Sequence, residues 1–197
     1  MDRARLATQL GFAMEVEQLK QVFRQSLLLG DRRRENDAEH SWHICLMAIL
    51  LVEYAAAEVD ILKVLKMLLI HDIVEIDAGD TFTYDTQANL DKEEREQRAA
   101  ERLFNLLPED QAVVYRALWD EFEERHSTEA RYAAALDRLQ PILLNYHTQG
   151  ASWQKHGVVR AQVIERNKHI AEGAPALWEF ARQLIDDAVA QGILAAK

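Results

Sequence analysis

Ile61–Asp80, ILKVLKMLLIHDIVEIDAGD, is the stretch on which the fold turns. Its apolar residues recur at helical spacing, and Asp60 stands where an N-cap belongs. Leu62, Leu65, Met67, Leu69 and Ile70 are expected to face mostly inward. The run closes on the adjacent pair His71-Asp72, and Gly79 then releases the chain into a loop over Asp80–Asn89. A polar doublet at the end of a buried helix is hard to explain by packing, because burying such groups without partners is costly.

Outward from this helix the chain keeps the same character. It has only three prolines and seven glycines among 197 residues, and β-branched alternation is nearly absent, so helix is the default. Upstream, NDAEHSWH offers Asn36 or Asp37 as a cap for a helix over about Ala38–Glu58. Glu39 stands three residues after Asn36, in capping-box register. Ile44–Val52 (ICLMAILLV) is apolar on all sides and places this helix at the centre of the core. Downstream, NLDKEEREQRAAERLFNLL reads as an exposed helix with Glu94/Arg98 support, anchored by Leu103, Leu106 and Leu107. Pro108 opens another helix to about Arg125, and Ser127 caps the one that carries Asp137 and ends near His147. Two closing helices are expected near Val158–Ala171 and Pro175–Ala190. No repeat or linker interrupts the chain, so the expectation is one all-α domain over 1–197.

Composition narrows the class. A net charge of −10 argues against the broad basic footprint of a nucleic-acid-binding protein, but leaves room for a small phosphorylated substrate. The apolar run Ile44–Val52 is about half the length needed to cross a bilayer. The N-terminal stretch MDRARLATQLGFAMEVEQLK lacks a signal-type apolar core. With Cys45 as its single cysteine, the chain suits a reducing compartment, and the expectation is a soluble cytoplasmic protein without membrane association. Arg32, Arg33 and Arg34 form the one dense basic run, either a solvated loop or a phosphate-steering patch ahead of His40.

His40, His71, Asp72 and Asp137 form a coherent ligand set for one divalent metal ion. Imidazole and carboxylate suit Mn²⁺, Fe²⁺, Co²⁺, Ni²⁺ or Zn²⁺ better than Ca²⁺, and Mg²⁺ also remains open. Four protein ligands leave coordination positions for water and a phosphate oxygen, the arrangement of metal-assisted hydrolysis. Glu75 follows His71 by four residues and Asp72 by three, so on a helix it rises on the same face, placed to orient or deprotonate a water. Asp77 would turn about 200° from Glu75 and is left out.

The order His, His-Asp, Asp resembles the HD-domain superfamily of metal-dependent phosphohydrolases. The likeness runs from about Leu19 to Tyr146 and is strongest in ENDAEHSWH, HDIVEIDAGD and ALDRLQPILLNY. Within the superfamily the chain looks most like the small group that includes 5′-deoxynucleotidases. The resemblance implies a compact multi-helix HD fold, a divalent ion on His40, His71, Asp72 and Asp137, and a homodimer. It implies Glu75 and Asp80 as the catalytic pair, and Arg24 in LKQVFRQSLLLG as a phosphate ligand, joined by an arginine of the 32–34 run such as Arg34. The group's tryptophan shortly after that arginine is replaced here by Leu27. The implied reaction is release of phosphate from a (deoxy)nucleoside 5′-monophosphate or related phosphomonoester. Metal-activated water would attack phosphorus, with Glu75 positioning it and Asp80 passing a proton to the leaving oxygen.

Two other readings remain open at this level. HDIVEID loosely resembles the HD-x-x-E-D of alarmone hydrolases, which points to a cyclic or pyrophosphorylated nucleotide. Alternatively, the chain is a non-catalytic metal- or nucleotide-binding module, which would need neither Glu75 nor Asp80. His43, three residues from His40, is either a core histidine, a partner behind the ligands or a direct contact. NYHTQGASWQKHG gathers His147, Trp153, Lys155 and His156 in a loop that either closes over a substrate or packs Trp153 into the core. Leu177, Trp178, Phe180, Leu184 and Ile185 either form an interface or seal the core.

Overall fold

A computed structural model describes residues 2–197. Helices α1 (Arg3–Val16), α2 (Asp37–Leu50), α3 (Ile61–Ile70), α4 (Glu75–Ala78), α5 (Lys92–Phe104), α6 (Glu109–Glu124) and α7 (Thr128–His147) build most of the molecule. Short α8 (Ala151–Lys155), α9 (Arg160–Asn167) and α10 (Ile170–Gly173) lead to α11 (Pro175–Ala190). Strands β1 (Phe23–Leu27) and β2 (Arg34–Asn36) form a small antiparallel ribbon, the one sheet among the described residues. The all-α HD-type expectation stands, with this ribbon added.

Capping fixes where the site-bearing helices begin. The Asp60 carboxylate accepts from the backbone N–H groups of Leu62 and Lys63, and Asn36 with Glu39 closes a full capping box at α2. Each cap is worth about 1 kcal/mol. The polar face of α3 is narrow, and Val64, Met67, Leu68 and Ile70 are buried. Past Ile70 the chain tightens into a 3₁₀ turn over His71–Val74 before α4, so the doublet sits on a helical but overwound segment. Gly79, at φ +75°, then turns the chain out into the loop that begins with Asp80. Arg95 pins that loop through Thr81 Oγ1 and the Ala88 carbonyl, each at 3.0 Å.

Helix α7 runs through the core, burying Ala133, Ala135, Leu136 and Leu139. Pro141 lies inside it and lacks the N–H that would bond the Asp137 carbonyl one turn back, which loosens the helix at that residue. Gly173 lets α10 lie directly on α7, since a Cβ there would meet the Arg131 carbonyl oxygen at 2.1 Å.

Three expectations are revised. Helix α2 ends at Leu50 rather than near Glu58, because the Tyr132 hydroxyl takes the Ala48 carbonyl and the Ala56 N–H pairs with the Gly173 carbonyl. The stretch read as one helix over 158–171 is broken into α9 and α10. The apolar run of α2 is not buried all round: Leu46, Ile49 and Leu50 are exposed, as are Trp42 and, on α3, Leu62 and Leu69. Of the α11 residues, Leu177 and Ile185 seal the core while Phe180 remains exposed.

Candidate active site

The four residues read as metal ligands come from three helical segments and meet at one point. His40 comes from α2, His71 and Asp72 from the 3₁₀ turn after α3, and Asp137 from α7. One ligand atom each from His40, His71 and Asp72 lie within 4.8 Å of one another. His40 Nε2 is 3.0 Å from Asp137 Oδ1 and 4.0 Å from Asp72 Oδ2. His71 Nε2 is 3.1 Å from Asp72 Oδ1 and 3.6 Å from Asp137 Oδ1, yet it makes no aligned hydrogen bond. A buried ring nitrogen that faces two carboxylates without bonding either is what a divalent cation would complete. The residues present therefore fit a metal.

Partners behind the ligands set their tautomers. His71 Nδ1 donates to the Leu68 carbonyl at 2.9 Å and presents Nε2 to the cluster. Against burial, Asp72 and Asp137 raise this imidazole to about 10, and a cation binding at Nε2 would displace that proton. His40 Nδ1 lies 3.2 Å from Gln140 Oε1, and Gln140 Nε2 donates to Glu35 at 2.6 Å and meets His43 Nδ1 at 3.3 Å. With Gln140 Nε2 given to Glu35 Oε1, the amide turns its oxygen to His40, and His40 Nδ1 is the nitrogen that donates to it. His43 is thus a partner behind the ligands rather than one of them. Trp119 Nε1 donates to the His71 carbonyl at 3.2 Å and holds the turn.

Arg24, from β1, places its guanidinium among the acidic ligands. Nη1 is 2.8 Å from Asp72 Oδ2 and 3.3 Å from Asp37 Oδ1, and Nη2 is 3.8 Å from Asp137 Oδ1. Burial works against charge on Asp72, but His71 and Arg24 overcome it and hold the carboxyl below its usual range. Glu75 behaves oppositely. Burial first, then the charges of Asp72, Asp37 and Asp80, push its carboxyl well above the ordinary value. Burial pushes Glu35 and Asp37 to about 7, the latter aided by Asp72.

Arg24, His71, Asp72, Glu75, Asp80 and Asp137 line one cavity of about 700 Å³. Its further wall includes Phe82, Tyr84, Lys92, Trp153, Arg166 and His169. Trp153 packs into the core and also lines the cavity, and His156 lies against Phe82 with ring centroids 4.5 Å apart. Arg34 is not among the cavity-lining residues, but its charge reaches Asp80, and its Nε and Nη2 donate to the carbonyls of Arg24 and Phe23, bracing the strand that carries Arg24. Asp77 turns outward to Arg102 at 2.7 Å.

Sequence reasoning missed Glu35, Asp37, Gln140, Lys92 and Arg138. Asp37 and Gln140 had a signal, since each stands three residues from a ligand on the same helix and so shares its face. Lys92 and Glu35 had none, because the loop and ribbon that deliver them are set by tertiary packing.

Comparisons agree with this geometry. The HD domain family model matches residues 16–178. A human protein named 5′-deoxynucleotidase HDDC2 is 30% identical over 68% of this chain, and the match spans 65% of that protein's length, just under two thirds. The Xenopus laevis protein of the same name is 29% identical over 84% of this chain and 90% of its own. A crystal structure described as a predicted metal-dependent phosphohydrolase from Magnetospirillum magnetotacticum is 56% identical, covering 97% of this chain and 96% of its own, with a TM-score of 0.93. The Pyrococcus horikoshii protein PH0347, at 22% identity, covers 91% of this chain and 97% of its own with a TM-score of 0.65, and shares the fold. The chain belongs to the HD domain family.

Proposed function

We propose that this HD-domain hydrolase releases phosphate from deoxynucleoside 5′-monophosphates or closely related phosphomonoesters. The observation that carries the reading is one cavity that joins the ligand cluster to Glu75, Asp80 and Arg24. The names of its relatives support the substrate class. A single divalent cation held by His40, His71, Asp72 and Asp137 would supply Lewis acidity and a water of lowered pKa. Arg24 meets the phosphate charge. Glu75, high in pKa and with Oε2 free of any hydrogen bond, accepts a proton from the attacking water and orients it. Asp80, which burial likewise pushes upward, carries a proton to the leaving oxygen. Lys92, paired with Glu96 at 2.7 Å, keeps a positive charge on the same wall. Arg34 acts through Arg24, whose strand it braces.

Metal-stripped protein resupplied with Mn²⁺, Co²⁺ or Mg²⁺ is expected to release inorganic phosphate from a panel of nucleoside 5′-monophosphates, deoxyribonucleotides foremost. Metal-bound protein that turns over none of them would sink the reading and move the search to cyclic or pyrophosphorylated nucleotides.

The same proposal includes the assembly. The exposed apolar residues Trp42, Leu46, Ile49 and Leu50 of α2 and Leu62 and Leu69 of α3 lie on two helices that pack together, with Cys45 Sγ 3.9 Å from the Leu65 carbonyl at their seam. An apolar face of this extent marks an interface, and a second copy of this chain covers it. Sedimentation equilibrium should give a dimer that Leu46→Glu with Leu69→Glu converts to monomer; a monomeric wild type at micromolar concentration would refute it. The terminal helices belong to the same unit: Arg5 on α1 reaches Asp110 on α6 at 2.7 Å, and α11 packs on α7, which supports one domain over 1–197. Among the described residues no helix is long and apolar enough to cross a membrane. The free thiol of Cys45 supports a cytoplasmic setting.

A further inference from the structure

The cavity is longer than its chemistry at the ligand end requires. At about 700 Å³ it falls in the upper half of the usual range for small-molecule sites, about 300–1,000 Å³. Its lining carries, besides Arg24, three arginines from three different helices or their ends: Arg125 just past α6, Arg138 on α7 and Arg166 on α9. Arg138 is engaged, donating to Thr83 Oγ1 at 3.0 Å with its Nε 3.5 Å from Asp137. The side chains of Arg125 and Arg166 make no hydrogen bond or ion pair among the described residues. Both residues are exposed at the chain surface, so in a protein with 33 acidic and 23 basic residues their guanidinium groups remain available to an anion in the cavity they line.

The backbone at both positions is held in place. Arg125 closes α6 in the left-handed region, at φ +53°, and its carbonyl is held by Arg131 Nε at 3.1 Å. Arg166 stands beside Asn167, which is buried and donates to the Val163 carbonyl at 2.7 Å. Neither acid of this rim neutralises them: Glu165 is paired with Lys168 at 2.6 Å, and Glu123 lies within 4.0 Å of neither arginine. Burial first, then the charges of Arg138 and Arg125, lower His169 to about 4, so this lining imidazole stays neutral and the positive charge here comes from the arginines.

We propose that Arg125 and Arg166, which line the same cavity as Arg138 and the ligand cluster, form a second anion subsite that receives a non-scissile phosphate on the same substrate. Planar guanidinium groups recognise phosphate through paired N–H donors, and two of them on one wall suit a dianion. The inference rests on reading the cavity as a nucleotide site, and it makes a nucleoside 3′,5′-bisphosphate a better ligand than the corresponding 5′-monophosphate.

Calorimetry on metal-stripped protein compares 2′-deoxyadenosine 5′-monophosphate with 2′-deoxyadenosine 3′,5′-bisphosphate, so binding is read without turnover. The bisphosphate should bind about tenfold more tightly. That advantage should shrink as ionic strength rises and collapse to less than about twofold in Arg125→Gln with Arg166→Gln, whose melting curve reports folding. Equal binding of the two nucleotides, binding of neither, or an advantage that survives the double substitution overturns the subsite. A bisphosphate preference at equilibrium without phosphate release from either nucleotide, once metal is restored, leaves the subsite standing and overturns the hydrolase reading alone.

Discussion

Asp72→Asn is expected to remove metal binding and to lower phosphate release by roughly a thousandfold or more. The size follows from how many roles one carboxylate holds. Asp72 is buried, its Oδ2 is 2.8 Å from Arg24 Nη1, and its Oδ1 is 3.1 Å from His71 Nε2. It is the one residue common to both groups of buried ligand atoms, His40–His71–Asp72 and Asp37–Asp72–Glu75. Asparagine keeps the shape and one acceptor but removes the charge that offsets a divalent cation in a low-dielectric site. The fold itself should survive, because Asp37 at 3.3 Å and Asp137 at 3.8 Å still face Arg24. Manganese titration by calorimetry, beside circular dichroism, separates the effects. A folded Asp72→Asn protein that binds Mn²⁺ as the wild type does, or releases phosphate at more than about a tenth of its rate, would contradict the ligand assignment.

The ligand cluster was legible in the sequence because helices make spacing meaningful. His71 and Asp72 were adjacent, Glu75 one turn on, and Asp137 an isolated charge within an apolar stretch. The fold class followed from the same periodicity and from caps at Asn36, Asp60 and Ser127 that the structure retains. What was illegible depends on partners distant in the chain. Nothing near Leu50 says that Tyr132, 84 residues from Ala48, will end α2 there. Nothing in ICLMAILLV tells which side of a wholly apolar helix meets the core and which is left outside. Nor does the basic run show that Arg34 will brace the neighbouring strand through two of its guanidinium nitrogens while its charge still reaches Asp80.

The Gln140 contacts show why the buried network around the ligands is as constrained as the ligands. Glu35 orients the Gln140 amide, the amide sets the His40 tautomer, and the tautomer leaves Nε2 with a free lone pair. A reader of the sequence sees only LDRLQ, in which Gln140 resembles any polar residue on a helix. Its role appears only when α2 and α7 are packed together, which places His40 and Gln140, 100 residues apart, within hydrogen-bonding distance. Residues that would never touch an ion thus shape the donor set that would hold one.

Glu75→Gln should separate chemistry from metal binding. Glutamine keeps the volume of a side chain that is buried, but it can neither take up a proton nor carry the negative charge of a base. Glu75 is three residues from Asp72 and is surrounded by Asp72, Asp37 and Asp80, so the substitution removes repulsion from an acidic cluster and should not weaken the fold. The expected result is a fall in kcat of roughly a hundred- to ten-thousandfold, the range for a lost general base, with Mn²⁺ affinity and KM changed by no more than about threefold. In the wild type, kcat should decline toward acid as the carboxyl protonates, from a pKa that burial and its acidic neighbours place above the usual glutamate value. That acid limb should be absent from the residual activity of Glu75→Gln, whereas a group that only shapes the pocket would leave the profile in place. A variant that retains kcat within about threefold would remove Glu75 from the chemistry. One that loses Mn²⁺ binding would make it a metal ligand. A large loss of kcat with affinity preserved leaves proton transfer, supplied by a carboxyl that burial and three acidic neighbours hold above the usual glutamate value.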